Sequence, residues 1–297
     1  MTLITLFTAP KPFTNPHIAT IQRNALSSWS SLGDDVEVMM IGDEAGMAEV
    51  AAEYGVKHLP QVAVNELGTP LVSSIFALAR EHSASPLLAY LNADILVLPG
   101  FVHNAQEVME QEKNFLIVGQ RWDLDVRRLL EFTNGWTDRL RTEVHTHGRL
   151  HSPAGSDYFI YPREQFADLP DFAIGRAGWD NWMIYHARAQ NWPVIDATAS
   201  VMVIHQDHDY SHLPGGQPHY DLQETDVNVE KGGGLGHMYM LLDADRELVG
   251  DKVRPARLTL ARLLRRAERF FAPRDGSREG LRWSVARRFR RWRRRLV

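Results

Sequence analysis

Short apolar runs alternate with stretches whose apolar residues fall three and four apart, and this alternation organises the first third of the chain. Residues 3–8 form the first run and predict a strand. Asn15-Pro16 then opens a helix, since Asn caps free amides and Pro is tolerated at the first helical position. Ile18, Ile21, Ala25 and Trp29 mark its buried stripe. Residues 36–41 predict a second strand, ended by Gly42-Asp43-Glu44, and a short helix runs on to Tyr54. Residues 56–59 predict a third strand. Thr69-Pro70 repeats the cap-plus-proline start ahead of Val72, Ile75, Phe76 and Ala79. Residues 87–91 predict a fourth strand, stopped by Asn92-Ala93-Asp94. Strands and helices in this order imply an α/β fold with a mainly parallel sheet covered on both faces. Ligands of such sheets sit beyond the carboxyl ends of the strands. Three polar clusters fall there: residues 8–11, Asp43-Glu44 and residues 92–94.

The second half is less regular. Residues 115–119 predict a strand ending in Gln120-Arg121-Trp122, and residues 123–154 a helix and loops. A strand at 157–161, a helix at 178–189 and one or two strands within 194–204 follow. Residues 205–236 read as a long polar loop with Gly215-Gly216 and Gly232-Gly233-Gly234, and a loop of that length is either functional, as a lid, or disordered. No internal repeat and no linker interrupts residues 1–253.

Composition adds two points. With 297 residues, 44% hydrophobic and 24% charged, the chain has the profile of a globular protein able to bury a large core. It has no cysteine, which removes disulfides, thiol nucleophiles and Cys-ligated metals and fits a reducing cytoplasm. No apolar stretch is long enough to span a bilayer, and the N-terminus lacks signal-peptide features. The second point is a charge split. Residues 254–297 hold 16 Arg, no Lys and 3 acidic residues, or +13, so the net −4 leaves −17 for residues 1–253. Leu260, Leu264, Ala267 and Phe271 recur at helical spacing in this tail, as do Leu281, Val285, Phe289, Trp292 and Leu296. A basic amphipathic helix of this kind lies on an anionic membrane surface, or is a solvated or docked terminal helix. The acidic body argues against nucleic acid as the main partner.

Several side chains carry candidate chemistry. Asp94, at a strand end, either satisfies turn amides or holds a hard divalent cation. His205, Asp207, His208, Asp209 and His212 crowd into eight residues after an apolar run, as metal ligands or as a polar loop bonded to itself. Asp180, in Gly178-Trp179-Asp180-Asn181-Trp182, is either a helix cap or a general base. Asp157 is a second carboxylate for acceptor contact. Trp122, Trp179 and Trp182 either stack on sugar rings or are buried.

The order of these features resembles a GT-A-type glycosyltransferase, in particular a group of bacterial glycosyltransferase-like proteins. Residues 3–10 resemble the first nucleotide-contacting strand, Asn92-Ala93-Asp94 the D-x-D metal motif, Asp180 the acid that begins the helix behind the acceptor site, and His205 the downstream metal histidine. The first motif position is Asn rather than Asp. The resemblance implies a single Rossmann-like GT-A domain with a nucleotide-binding half of about residues 1–120 and an acceptor half of about 121–253, followed by the helical tail. It implies Mn²⁺ or Mg²⁺ on Asp94, His205 and His208, with a nucleotide-sugar donor against Thr8, Ala9, Lys11, Asp43, Asn92 and Arg121. The donor expected is a UDP-sugar and the acceptor a glycan or lipid-linked hydroxyl, deprotonated by Asp180 with inversion. Two other classes remain open: a metal-dependent nucleotidyltransferase or hydrolase using His205 and His208, and a non-catalytic carbohydrate- or membrane-binding protein.

Overall fold

The computed structural model describes residues 2–208, 222–273, 277 and 279–297. The first half runs β1 (Ile4–Thr8), α1 (Pro16–Ser30), β2 (Val36–Ile41), α2 (Met47–Tyr54), β3 (Lys57–Leu59), α3 (Val72–His82), β4 (Leu87–Leu91), β5 (Ile95–Val97), α4 (Gly100–Gln111) and β6 (Leu116–Val118). It continues through β7 (Trp122–Leu124), α5 (Trp136–His147), β8 (Arg149–Leu150), β9 (Tyr158–Pro162), α6 (Trp179–Ala189), β10 (Val194–Asp196) and β11 (Val203–Gln206). The last elements are α7 (Gln223–Lys231), β12 (Arg246–Val249), β13 (Lys252–Pro255), α8 (Leu260–Phe271) and α9 (Gly280–Arg293).

Nine strands form one sheet in the order β13-β12-β10-β6-β9-β4-β1-β2-β3. Five of its neighbouring pairs are parallel; β9 runs antiparallel between β4 and β6, and β13 antiparallel at the edge. The mainly parallel α/β sheet expected from the sequence is therefore present. Along β4, Leu87, Ala89 and Leu91 pack on one face with α1, α2 and α4, while Leu88 and Tyr90 pack on the other with α3 and α6. Two apolar faces make β4 a continuous hydrophobic run. The chain leaves β1 toward β3 and returns on the other side as β4. In α/β sheets with such a reversal, ligands sit in the crevice beyond the carboxyl ends of the strands, here those of β1 and β4.

Local chemistry explains the helix starts. Asn15 accepts from the amides of His17 (2.9 Å) and Ile18 (3.2 Å), with Pro16 at the first position, as expected. Thr69-Pro70 departs from expectation: the backbone stays extended through Leu71, which bridges Ala173, and α3 begins at Val72. The 205–236 region also departs. Residues 209–221 lie outside the described residues, but residues 223–231 form α7, whose Asn228 side chain bonds both the amide and the carbonyl of Ala173. That part is helix rather than loop.

The tail forms two helices packed on the body. Helices α8 and α9 pair as an antiparallel hairpin, with Phe271 stacked on Phe289 and Glu268 bonded to Arg290 and Arg293. The side of α8 that meets the body is charged. Arg262 reaches Asp196 (3.0 Å), and Arg265 reaches Asp243 (2.9 Å), which also receives Arg269. Glu268 is 1% exposed; burial opposes its ionisation, but Arg265, Arg290 and Arg293 outweigh that and lower its pKa. Leu260, Leu281, Trp292 and Leu296 are exposed. Among the described residues no helix is long and apolar enough to cross a membrane.

Candidate functional site

A second, four-stranded sheet in the order β5-β11-β7-β8 stands at the crevice and builds the site. Its register sets His205 of β11 beside Ile95 of β5 on one side and Asp123 of β7 on the other. Asp94 immediately precedes β5. Segments distant in sequence thus deliver three titratable side chains to one place. Helix α1 supports them from below: Trp29 Nε1 donates to the carbonyl of Ile95, and Asn24 donates to the buried Gln206. Gln206 in turn donates to the carbonyl of Asp94 at 3.1 Å, fixing the turn that carries the carboxylate.

Asp94 is 7% exposed and ringed by cations and imidazoles. Its Oδ2 lies 3.1 Å from His208 Nε2, 3.7 Å from Lys11 Nζ and 4.0 Å from His205 Nε2. Burial opposes its ionisation, but His205, His208 and Lys11 outweigh it and hold the carboxyl far below the usual range. Burial lowers the Lys11 pKa, with Asp94 opposing. For His205 burial is outweighed by Asp94, Asp123 and Asp207, and its pKa is pushed up to about 9. A proton on His205 therefore stands where these carboxylates would also welcome a metal ion.

The residues fit a divalent cation. Asp94, His205 and His208 each offer one ligand atom, all within 4.8 Å of one another. Asp94 Oδ1 is buried without a hydrogen-bond partner. Carboxylate plus imidazole is a donor set that Mn²⁺ or Mg²⁺ accepts in a cysteine-free site, with further oxygens from substrate.

Asp123 was not singled out from the sequence. Its Oδ1 lies 3.5 Å from His205 Nδ1, and its carboxylate also meets Arg121, Arg149 and His151. A carboxylate behind a ligating imidazole fixes its orientation and raises its basicity. Asp123→Asn is expected to weaken Mn²⁺ binding about 10–100-fold, read by isothermal titration calorimetry. Unchanged affinity would remove Asp123 from this role.

The other side of the crevice carries Asp157 and Asp180. Asn92 links the two sides: its amide donates to Asp157 Oδ1 at 2.8 Å, and Tyr90 donates to its carbonyl oxygen. Asp157 also takes a short hydrogen bond from Arg121. Asp180 sits in the first turn of α6, after Gly178, whose φ of 107° suits glycine and whose amide donates to Asp180 Oδ1 at 3.3 Å. Burial, aided by the Asp157 charge, pushes the Asp180 carboxyl up to about 6, against backbone hydrogen bonds from Asn181, Ser156 and Gly178. Asp180 thus holds its proton more tightly than an ordinary aspartate, beside a second charged carboxylate, which suits acid–base work.

Thr8 ends β1 and Lys11 follows it at the crevice, and Thr8 Oγ1 is a second buried oxygen without a partner. Ala9 packs on the adjoining core. Asp43 stands exposed after β2. Trp122 is partly buried against His145. Trp179 and Trp182 are 5% and 7% exposed, their rings taken up by Tyr90, Phe159, Phe172 and His186. They are core residues, and the expectation that they face an acceptor is corrected. Asp209, Tyr210 and His212 lie outside the described residues.

No family model matches the chain, and no curated protein matches it. Among solved structures it is similar to the S. aureus TarS 1–349 fragment, at 10% identity and a TM-score of 0.41 over 70% of this chain and 59% of that one. It is also similar to M. tuberculosis glucosyl-3-phosphoglycerate synthase, at 16% identity and 0.48 over 78% and 81%. The complex of that synthase with Mn²⁺, UDP and phosphoglyceric acid gives 15% and 0.46 over 80% and 76%. The chain spans less than two thirds of the first of these. Scores at this level assign neither activity nor residue roles.

Proposed function

We propose that the chain is a metal-dependent GT-A-type glycosyltransferase that moves a sugar from a UDP-sugar to a hydroxyl of a glycan or lipid-linked acceptor. The observation that carries this is the pairing across one crevice of an Asp94–His205–His208 cluster with a proton-seeking carboxylate at Asp180. The cluster's unsatisfied Asp94 oxygen supports a cation site, and Asp180 supports a base. A divalent cation held by Asp94, His205 and His208 would offset charge on the leaving diphosphate.

The chain's own residues do the rest. Lys11 and Arg121 bring positive charge to the phosphate side, and Thr8, Ala9 and Asp43 line the nucleoside end. Asp180 accepts the proton of the acceptor hydroxyl as its oxygen attacks the anomeric carbon. The bond from that carbon to the diphosphate oxygen breaks, the nucleoside diphosphate leaves with the electron pair, and configuration inverts. Asp157 places negative charge beside Asp180 that keeps its proton affinity high, and Asn92 holds Asp157 in position. A lipid-linked acceptor would place this reaction at a bilayer surface.

Thermal-shift titration tests the donor side. UDP with Mn²⁺ is expected to raise the melting temperature by several degrees, since ligand at about 100 times its Kd adds about 2.7 kcal/mol. UDP without metal is expected to give a far smaller shift. Equal shifts with and without metal, or none with UDP, GDP or CMP, would sink the reading.

A further inference from the structure

We infer that the α8–α9 hairpin is a rigid docking face for a bilayer surface rich in anionic phospholipid. The inference stands without the transfer reaction.

The sequence shows an amphipathic basic tail; the structure shows which face is taken. Buried arginines fix the hairpin to the body, Arg262 on Asp196 and Arg265 on Asp243, and a third, Arg293 on Glu268, joins its two helices. With those charges spent inward, the outer side keeps apolar side chains that nothing in the described structure covers. Phe270 is 74% exposed, Leu281 81%, Leu260 59% and Trp292 47%. Two of them, Phe270 and Trp292, are joined. Phe270, Phe271, Phe289 and Trp292 form one run of rings from helix to helix, with neighbouring centroids 5.2 to 5.8 Å apart. The exposed rings at its two ends therefore belong to a single surface.

Charge complementarity selects the occupant. Arg266 on α8 and Arg282, Arg287, Arg288 and Arg291 on α9 are exposed on the same two helices. The only acidic side chain within either helix, Glu268, is buried and neutralised. Large apolar side chains with arginines on the same helices match a headgroup layer, with rings below the phosphates and guanidinium groups among them. Duplex nucleic acid offers phosphate but no apolar layer for Phe270 and Leu281. A second copy would bring another strongly positive face against the first.

Vesicle flotation with the full chain tests this. Wild type is expected to float with vesicles of equal parts phosphatidylglycerol and phosphatidylcholine, and at least about tenfold more weakly with phosphatidylcholine alone. Phe270→Ser with Trp292→Ser is expected to lower binding to the anionic vesicles about tenfold or more with unchanged melting. Leu281→Ser with Leu296→Ser, all at exposed positions, provides the same readout independently. Failure of wild type to float overturns the inference, as does full retention of binding by both variants. So does duplex DNA binding tighter than vesicle binding, or a dimer in solution that the variants dissociate.

Discussion

Asp94→Asn is expected to abolish the Mn²⁺-dependent shift with UDP and to lower sugar transfer about 10³-fold. The substitution keeps size and shape but removes the charge around which Lys11, His205 and His208 gather. A metal clamp on a leaving diphosphate supplies several kcal/mol of transition-state stabilisation, and each 1.36 kcal/mol is about tenfold in rate. Lys11 and the imidazoles also lose their common counter-ion, so the variant should melt earlier than wild type. Two measurements separate the effects: turnover at saturating acceptor, and melting with UDP in the presence and absence of Mn²⁺. Turnover within tenfold of wild type would show that Asp94 only shapes its turn.

Asp180→Asn should do something less usual, lowering turnover about 10²- to 10⁴-fold while stabilising the fold at pH 7. The folded protein holds a proton on Asp180 up to about pH 6, mainly because of burial, whereas an unfolded aspartate releases it near its ordinary value of 3.8. A group whose folded pKa is raised favours folding below its unfolded value, and that contribution is lost as pH rises through about 6. At pH 7 the native carboxylate is charged at a cost, and a neutral amide avoids it, by about 1–2 kcal/mol after allowing for partial exposure. Transfer by wild type should fall on the acid side of about pH 6, as the base becomes protonated. Chemical denaturation and a pH–rate profile check both halves. A less stable, fully active Asp180→Asn protein would mean that this side chain is a helix cap.

How much of this was legible in the sequence depends on the scale at which each feature is encoded. The order of elements from β1 to β4 was readable because strands buried on both faces are continuous apolar runs, and because Asn15-Pro16 marks a helix start with local chemistry. Helix α4 was passed over, since its stripe of Phe101, Ala105 and Val108 is brief and follows Pro99-Gly100, which reads as a break. The small sheet was invisible: β5 and β7 have three residues each and β8 two, too few to display a period. Yet that sheet brings Asp94, Asp123 and His205 together. Asp123 had no local signature, because its part depends on register with a strand some eighty residues downstream. Asp94, His205 and Asp180 stand out in the sequence by residue type and by position beside expected elements, although His205 lies inside β11 rather than after a strand. Trp179 and Trp182 went the other way, since an aromatic beside a candidate base looks the same in sequence whether it faces a ligand or the core. The tail's amphipathic pattern was clear, but the docked face was set by Asp196 and Asp243, which no periodicity inside the tail could reveal.

The buried arginines also order events during synthesis. Asp196 and Asp243 emerge from the ribosome before Arg262 and Arg265 can reach them, and Glu268 waits for Arg293. Domains generally form as their N-terminal parts emerge. Here the sheet can assemble on that schedule, but the corner formed by β10, the 241–243 turn and the hairpin balances its charge only once α9 has emerged. A nascent chain stalled short of Arg293 would therefore hold a nearly complete domain with an unfinished, acidic corner, a form that chaperones and proteases could tell apart from the finished protein.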